Sequence, residues 1–221
     1  IESLVEGEKG LVISFDQYNS KGIMLEEKIG AIEGSKIKEI YSKGSMGNLF
    51  YYEDCLHAVG MRKKFDWPTN TTILKISNTG KVSFKYRSFD RNIVKAAVNE
   101  TILYFLYEES GKTLLRDGTN NIDLINSEVT IKDFAFNNEQ TFVIANTFSN
   151  PDEIYELNNG QLTKISKANE SFTKKVKTWD CQYKRIDTGK SEIDTWGIFV
   201  GKDNPTILNI HGGPASQYAF T

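Results

Sequence analysis

The chain has 221 residues, of which 39% are hydrophobic and 25% charged, proportions typical of a soluble globular protein. Its formal net charge of −2 creates no global positive field, which argues against nucleic acid and an anionic membrane surface as partners. No apolar run reaches the roughly 18 residues that would predict a membrane helix. Aromatic residues make up 12% of the chain and favour β structure.

Short apolar runs separated by turn residues predict a succession of β-hairpins along the chain. In each hairpin a polar turn containing Gly or Asn lies between two apolar runs. Gly80 illustrates the pattern, since it can take the positive φ of a tight turn at no steric cost. Helical periodicity is weak everywhere, and even the best window, residues 30–41, is rich in β-branched residues. The predicted hairpins cover residues 10–24, 48–60, 72–86, 101–115 and 141–157.

A faint repeat indicates how these hairpins are organised. The pair Asn99 and Glu100 precedes one apolar run, and the pair Asn138 and Glu139 precedes a similar run 39 residues later. Four antiparallel strands repeated about every 40 residues are typical of β-propeller blades, although a β-sandwich gives comparable spacing. Residues 1–177 have room for roughly four such blades. We therefore predict a mainly β fold that begins with the C-terminal blades of a larger propeller.

After residue 177 the pattern changes and predicts a second domain, residues 178–221. Two β segments flank a turn at Thr188, Gly189 and Lys190. Residues 206–210 then form a compact apolar run without alternation, which predicts a strand buried on both faces, as in a sheet covered by helices.

This predicted strand is followed at once by His211, Gly212, Gly213 and Pro214. A strand ending in His-Gly-Gly-Pro matches the oxyanion-hole loop of α/β-hydrolases, in which backbone N–H groups face the developing alkoxide. Two adjacent glycines allow the backbone to approach the substrate oxygen closely. Gly212 and Gly213 are therefore the candidate catalytic residues, supported by His211 and Pro214. The alternative interpretation is a simple strand-ending turn.

Two stretches carry a resemblance to a known family. The segment "YKRIDTGKSEIDTWGIFV", followed by "NPTILNIHGGPASQY", resembles the start of the catalytic domain in prolyl oligopeptidase-type serine peptidases, and is most similar to the acylaminoacyl-peptidase branch. The segment "SNPDEIYELNNGQLTKISKANESF" resembles the last propeller blade of that family. The chain departs from the pattern in one turn, where "TGK" stands in place of the family's Asp-Gly.

The resemblance implies both a fold and an activity. The fold would be a propeller followed by the first strands of an α/β-hydrolase domain, with the propeller restricting access to short peptides. The activity would be hydrolysis of short or N-acylated peptides through an acyl-enzyme, without a cofactor. A non-catalytic β-propeller that binds peptides or protein partners is the alternative, and a related esterase or lipase is a third interpretation. A homo-oligomer is compatible with the sequence.

The family's nucleophile lies in a G-x-S-x-G motif, and the sequence contains none. Ser45 is the nearest match, but Lys43 stands where the first glycine should be. His211 precedes the region in which hydrolases place their triad base, and His57 is interpreted as a structural histidine. We therefore expect that the triad is not present and that the chain by itself is inactive.

Two acidic pairs are weaker candidates for a binding role. Glu108 and Glu109 are interpreted as solvated charges at a hairpin tip, and Asp152 and Glu153 as a second acidic turn.

The cysteines bear on location rather than on chemistry. Cys55 and Cys181 are far apart and lie in no CxxC motif, so no disulfide framework and no metal site is predicted. A reducing, cytoplasmic location is the expectation.

Overall fold

The structure is a computed structural model that describes residues 1–7, 10–61, 70–86, 89–125, 127–137, 139–179, 181–202, 204–205 and 207–209. The regular secondary structure of these residues is all β except for one helical turn, α1 (Glu170–Thr173). The strands are β1 (Ser3–Gly7), β2 (Gly10–Tyr18), β3 (Met24–Glu33), β4 (Lys36–Tyr41), β5 (Ser45–Tyr52), β6 (Cys55–Met61), β7 (Thr72–Ile76), β8 (Val82–Phe84), β9 (Ile93–Asn99), β10 (Ile102–Glu109), β11 (Lys112–Asp117), β12 (Ile122–Asp123), β13 (Thr130–Asn137), β14 (Gln140–Thr147), β15 (Asn150–Asn158), β16 (Gln161–Lys164), β17 (Cys181–Asp187) and β18 (Glu192–Ile198).

Consecutive strands pair to form four separate four-stranded sheets, β1 to β4, β5 to β8, β9 to β12 and β13 to β16. Each sheet is an up-and-down meander, the arrangement of a propeller blade. Strands β17 and β18 form an isolated antiparallel pair. The predicted fold class, a mainly β partial propeller with roughly four blades, is confirmed.

The five hairpins predicted from the sequence are all present, because their turn residues accept the backbone that a tight connection needs. In the β10–β11 loop, Ser110 and Gly111 both have positive φ, 48° and 77°. That combination is the type I′ turn, whose twist matches that of the flanking strands. The β5–β6 loop takes the same conformation without glycine, at Glu53 (φ 49°) and Asp54 (φ 56°). The weak helical window, residues 30–41, lies in β3 and β4.

Contacts divide the described chain into two compact units, residues 1–107 with 116–122, and residues 108–115 with 123–221. In the first unit, inward-facing aliphatic side chains from the first two sheets form one buried cluster. Alternation along the strands places these side chains on the inner face. The cluster consists of Val12, Ile29, Met46, Leu49, Leu56, Ala58, Leu74 and Ile76.

The second unit is built on the fourth sheet. Its buried side chains are Ile131, Phe134, Val143 and Ala145. Strands β13 and β14 are antiparallel, with Thr130 opposite Asn146 at one end and Asn137 opposite Gln140 at the other. One buried residue of this sheet, Glu153 in β15, is charged.

The predicted turn at residues 188–190 connects β17 and β18, so that hairpin is confirmed. The strand predicted over residues 206–210 is not confirmed, because the described residues 207–209 are not in a strand. Ile207 and Leu208 are 90% and 80% exposed. An apolar strand requires hydrogen-bonded neighbours on its edges, and no described strand pairs with this segment. The domain boundary near residue 178 stays a prediction.

None of the helices in the described part of the chain is long and apolar enough to cross a membrane.

Candidate functional site

The predicted oxyanion-hole residues, His211, Gly212, Gly213 and Pro214, lie outside the described residues. The β17–β18 hairpin and the loop after the fourth sheet are the described elements that precede these residues in the chain.

The β17–β18 hairpin packs against the turn that joins β10 to β11, and an aromatic side chain makes the contact. The Trp196 indole lies directly over Gly111, so close that a Cβ at residue 111 would overlap the ring and stand 3.1 Å from its Cε2. Gly111 also has a φ of 77°, which L side chains rarely adopt. The Tyr183 ring supports the indole from the neighbouring strand, with ring centroids 5.7 Å apart. The absence of a side chain at residue 111 is what admits the tryptophan.

Polar contacts accompany this packing. The Arg185 guanidinium donates to Asp194 Oδ1 at 3.0 Å, and its Nη2 reaches Ser110 Oγ at 3.3 Å. The Tyr183 hydroxyl donates to the same Asp194 oxygen at 2.6 Å. That hydrogen bond, followed by the guanidinium, lowers the pKa of Asp194, while the hydrogen bond to Asp194 raises the pKa of Arg185. Both groups are therefore charged at neutral pH, and the Arg185 guanidinium connects the hairpin to the turn through Ser110.

The second element that leads towards the predicted site is anchored by Glu153. The sequence predicted an acidic turn at residues 152 and 153, and that prediction is wrong, because both residues lie inside β15. Glu153 is only 3% exposed. Because side chains alternate along a strand, Glu153 faces the same side of β15 as the partly buried Tyr155 and Leu157. This alternation is the signal in the sequence that indicates a buried Glu153.

The Glu153 carboxylate holds the chain that follows the last sheet. It accepts hydrogen bonds from the Ser166 hydroxyl and from the backbone N–H groups of Ala168 and Asn169, the latter two at 3.0 and 2.9 Å. Lys164 Nζ lies 3.3 Å away. These donors, with the Ser166 hydroxyl first among them, lower the pKa of Glu153 to about 2. The carboxylate thus fixes residues 166–169 against β15.

The serine and histidine considered in the sequence do not form a catalytic pair. In the β5–β6 register Ser45 stands opposite Met61, whereas His57 stands opposite Phe50, so the two lie at different positions along the strand pair. His57 is fully buried, stacks on Phe50 with centroids 5.5 Å apart, and bonds through Nδ1 to the Cys55 carbonyl oxygen at 2.9 Å. Burial lowers the pKa of His57 and favours the neutral ring. The interpretation of His57 as a satisfied structural histidine is confirmed for its burial and its Nδ1, whereas its buried Nε2 has no hydrogen-bond partner among the described residues.

The acidic pair in the β10–β11 hairpin is less exposed than the sequence suggested. Glu108 and Glu109 end β10 and are half-buried, and the Ser110 hydroxyl donates to Glu109 at 2.9 Å. The tip itself is formed by Ser110 and Gly111, the residues that meet the β17–β18 hairpin.

The first unit contains a separate open cavity of about 780 Å³ on its hairpin turns. Two tyrosines and four carboxylates contribute to its wall. The lining residues are Glu6, Gly7, Tyr51, Tyr52, Glu53, Asp54, Asn78, Val98, Glu100 and Thr101. Lys85 forms an ion pair with Glu53 at 3.0 Å and lies over the Tyr52 ring, 4.6 Å from its centroid.

Within the described part of the chain, no group of three or more His, Cys, Asp or Glu side chains is arranged to hold a metal ion.

The meander sheets and the hairpin define a class of protein, a partial β-propeller followed by a short β extension. Known proteins that share this fold are found among solved structures. No family model and no curated protein matches the chain.

Several of the solved structures that match are peptidases. An acylaminoacyl peptidase in complex with Z-Gly-Gly-Phe-chloromethyl ketone gives a TM-score of 0.76 at 20% identity, over 99% of this chain and 36% of that chain. Acylaminoacyl peptidase from Pyrococcus horikoshii gives a TM-score of 0.69 at 19% identity. This match covers 88% of this chain and 32% of that chain. The β-propeller domain of the trilobed protease from Pyrococcus furiosus gives a TM-score of 0.59 at 15% identity. This match covers 76% of this chain and 55% of that chain.

These matches establish the fold. The predicted resemblance to prolyl oligopeptidase-type peptidases is confirmed at this level, since the structural neighbours are acylaminoacyl peptidases and a related protease. A match over 99% of the chain must include the β17–β18 hairpin as well as the four sheets. The chain spans about a third of the length of the acylaminoacyl peptidases that it resembles.

Proposed function

We propose that the chain is part of a serine peptidase of the prolyl oligopeptidase type, which hydrolyses short peptides or N-acylated peptides through an acyl-enzyme. The observation that carries this proposal is the match of nearly the whole chain, hairpin included, to an acylaminoacyl peptidase. The His-Gly-Gly-Pro sequence follows that hairpin along the chain, and such a motif after a strand is typical of the oxyanion loop of α/β-hydrolases. The four sheets would act as a size filter for the substrate.

In the proposed reaction, a serine supplied by the longer protein attacks the peptide carbonyl and transfers its proton to a histidine base. The carbonyl oxygen becomes an oxyanion, and the Gly213 N–H donates to it while Gly212 permits the close approach. Collapse of this intermediate expels the amine, which takes the proton from the histidine, and leaves the acyl-enzyme. Water then hydrolyses the ester to restore the serine.

Turnover of a chromogenic acyl-peptide tests the proposal. We expect none from the purified 221-residue chain and clear turnover from a longer polypeptide that carries the downstream sequence. In that polypeptide Gly213→Val should lower kcat/KM by roughly 100-fold or more, because it blocks the oxyanion donor. Ser216→Ala, a change in the same segment, serves as the matched control and should leave kcat/KM unchanged. Hydrolysis by the 221-residue chain, or a fully active Gly213→Val enzyme, would contradict the proposal.

A peptide-binding propeller without catalysis is the second candidate, and the cavity in the first unit favours it. A volume of about 780 Å³ is in the range of small-ligand and peptide sites, and tyrosines provide stacking surfaces. Under this alternative, the longer polypeptide would bind peptides with an affinity that Gly213→Val does not change.

We also propose a cytoplasmic location, on the argument that Cys55 and Cys181 are both free thiols.

A further inference from the structure

We propose that Ser3 in β1 and Asn48 in β5 are edge caps, acceptor side chains that each receive a backbone N–H group from the first strand of the following sheet and thereby position that sheet. Both edge caps and both donors lie in the first unit. The proposal concerns the assembly of the sheets and does not rely on the proposed peptidase activity.

The first argument is the pair of hydrogen bonds between consecutive sheets. Strands β5 and β9 each lie at the edge of a sheet, where alternate N–H groups point away from the ladder. The Leu49 N–H in β5 donates to Ser3 Oγ at 2.9 Å, and the Ala96 N–H in β9 donates to Asn48 Oδ1. Leu49 and Ala96 are only 5% and 1% exposed. A donor that lost its edge cap would therefore be buried and unsatisfied.

The second argument is that both edge caps occupy one position relative to the hairpin turn. Ser3 and Asn48 each lie four residues before the last residue of their strand, and each donor lies three residues before the end of its own strand. Strand β13 pairs the same two positions within itself, because the Phe134 N–H donates to Asp133 Oδ1 at 2.7 Å. In β9 the position holds Lys95, whose side chain has no acceptor. The repeat thus sets the position, and the residue there decides whether it caps a neighbour.

The third argument is the backbone of Asn48. Its φ of 44° is left-handed, a conformation unfavourable for residues other than glycine. Asn48 is the extra residue of a β-bulge, since the β5–β6 register shifts between Gly47 and Leu49. Glycine would accept this backbone without strain, but it could not reach Ala96 as the asparagine amide does. A strained residue that makes a bond between sheets indicates a role for that bond.

Urea denaturation and residue-resolved amide exchange of the 221-residue chain test the edge caps. Asn48→Gly removes the backbone strain together with the acceptor, and we expect a lower urea midpoint and about tenfold faster exchange of the Ala96 amide. Asn48→Ala should show the same losses, whereas Asn48→Asp keeps an oxygen acceptor and should keep the exchange slow. Asn159→Gly is the matched control, because Asn159 has a φ of 49° in the β15–β16 turn and is exposed. Its urea midpoint should stay close to that of the wild type.

Ser3→Ala gives the reciprocal measurement. It should speed exchange of the Leu49 amide and leave that of Ala96 unchanged, because each edge cap serves one donor. Unchanged Ala96 exchange in Asn48→Gly, or an equal loss of stability in Asn159→Gly, would overturn the proposal. If the Asn48 variants do not fold, Ser3→Ala decides, since an unchanged Leu49 exchange rate contradicts the proposal equally. None of these readouts depends on hydrolysis, so the edge caps and the peptidase proposal fail independently.

Discussion

At the scale of single residues, Glu153 shows how a buried charge can be tolerated in a β-sheet. A carboxylate removed from water is unfavourable unless donors replace its hydration. Here the replacement comes from the Ser166 hydroxyl, two backbone N–H groups and the Lys164 ammonium. The same bonds satisfy the backbone of a loop that belongs to no sheet. Glu153 therefore joins the folding of β15 to the position of the chain after the last blade.

Acid should weaken this anchor. The pKa of Glu153 is lowered to about 2 in the folded chain from 4.5, so its stabilisation is complete above pH 4.5 and is lost as the pH falls towards 2. Glu153→Gln should therefore be less stable than the wild type at pH 7, and the difference should shrink across that window. Thermal denaturation at a series of pH values measures it. Glu156→Gln, on the same strand, is the control; an equal pH dependence of its stability would argue against the anchor.

At the scale of elements, backbone spacing in the second sheet depends on a glycine that no turn requires. Gly60 lies within β6, opposite Met46 of β5. A Cβ at residue 60 would overlap the Ser45 carbonyl oxygen and lie 2.8 Å from Met46 Cα. Both obstacles are backbone atoms, which cannot rotate away as a side chain can. The close approach of β5 and β6 is thus possible because residue 60 has no side chain.

Gly60→Ala should consequently destabilise the first unit by about 2 kcal/mol or more, through forced separation of the two strands. Gly47→Ala offers a matched comparison in the paired strand, since a Cβ there would meet only Glu2 Oε2, at 3.8 Å. That variant should lie within about 0.5 kcal/mol of the wild type. Urea denaturation of the three chains provides the measurement. Similar losses in both variants would show that the β5–β6 approach is not what Gly60 preserves.

At the scale of the whole molecule, the described chain has two compact units, and the connection after α1 belongs to the second. Residues 174–179 are exposed and lie between the loop held by Glu153 and the β17–β18 hairpin. Among the described residues, the Lys174 ammonium forms an ion pair only with Glu170 in the preceding turn, at 2.7 Å, and 71% of its side chain is exposed. Exposed segments outside sheets are where proteases cut first.

Limited trypsin digestion should therefore cleave first after Lys174, Lys175 or Lys177, and should leave the four sheets as a resistant piece. Mass spectrometry of the earliest products identifies the site. A Lys174→Gln, Lys175→Gln, Lys177→Gln chain should survive longer under the same conditions. A first cut within β1 to β16 would mean that the sheets are less stable than this connection.

Much of the fold could be predicted from the sequence, because its hairpins are local. Glycines such as Gly80 and Gly111 mark turns, and strands adjacent in sequence pair with each other in every sheet. The weak repeat at Asn99 was enough to indicate blades, because β9 and β10 meet at that turn. The structure of residues 206–210 was harder to predict than that of the hairpins, because an apolar strand pattern does not specify which neighbouring strand supplies its hydrogen bonds.

Sequence alone determined the hairpins, the blade-like repeat and the Gly212–Gly213 candidate, because each depends on residues a few positions apart. Only the tertiary structure decided that Glu153 is a buried anchor rather than a turn charge, and that Gly111 receives Trp196. Those roles depend on contacts 15 or more residues distant, from Glu153 to Ala168 and from Gly111 to Trp196. Chain folding brings such pairs together by burying side chains whose partners no local pattern identifies.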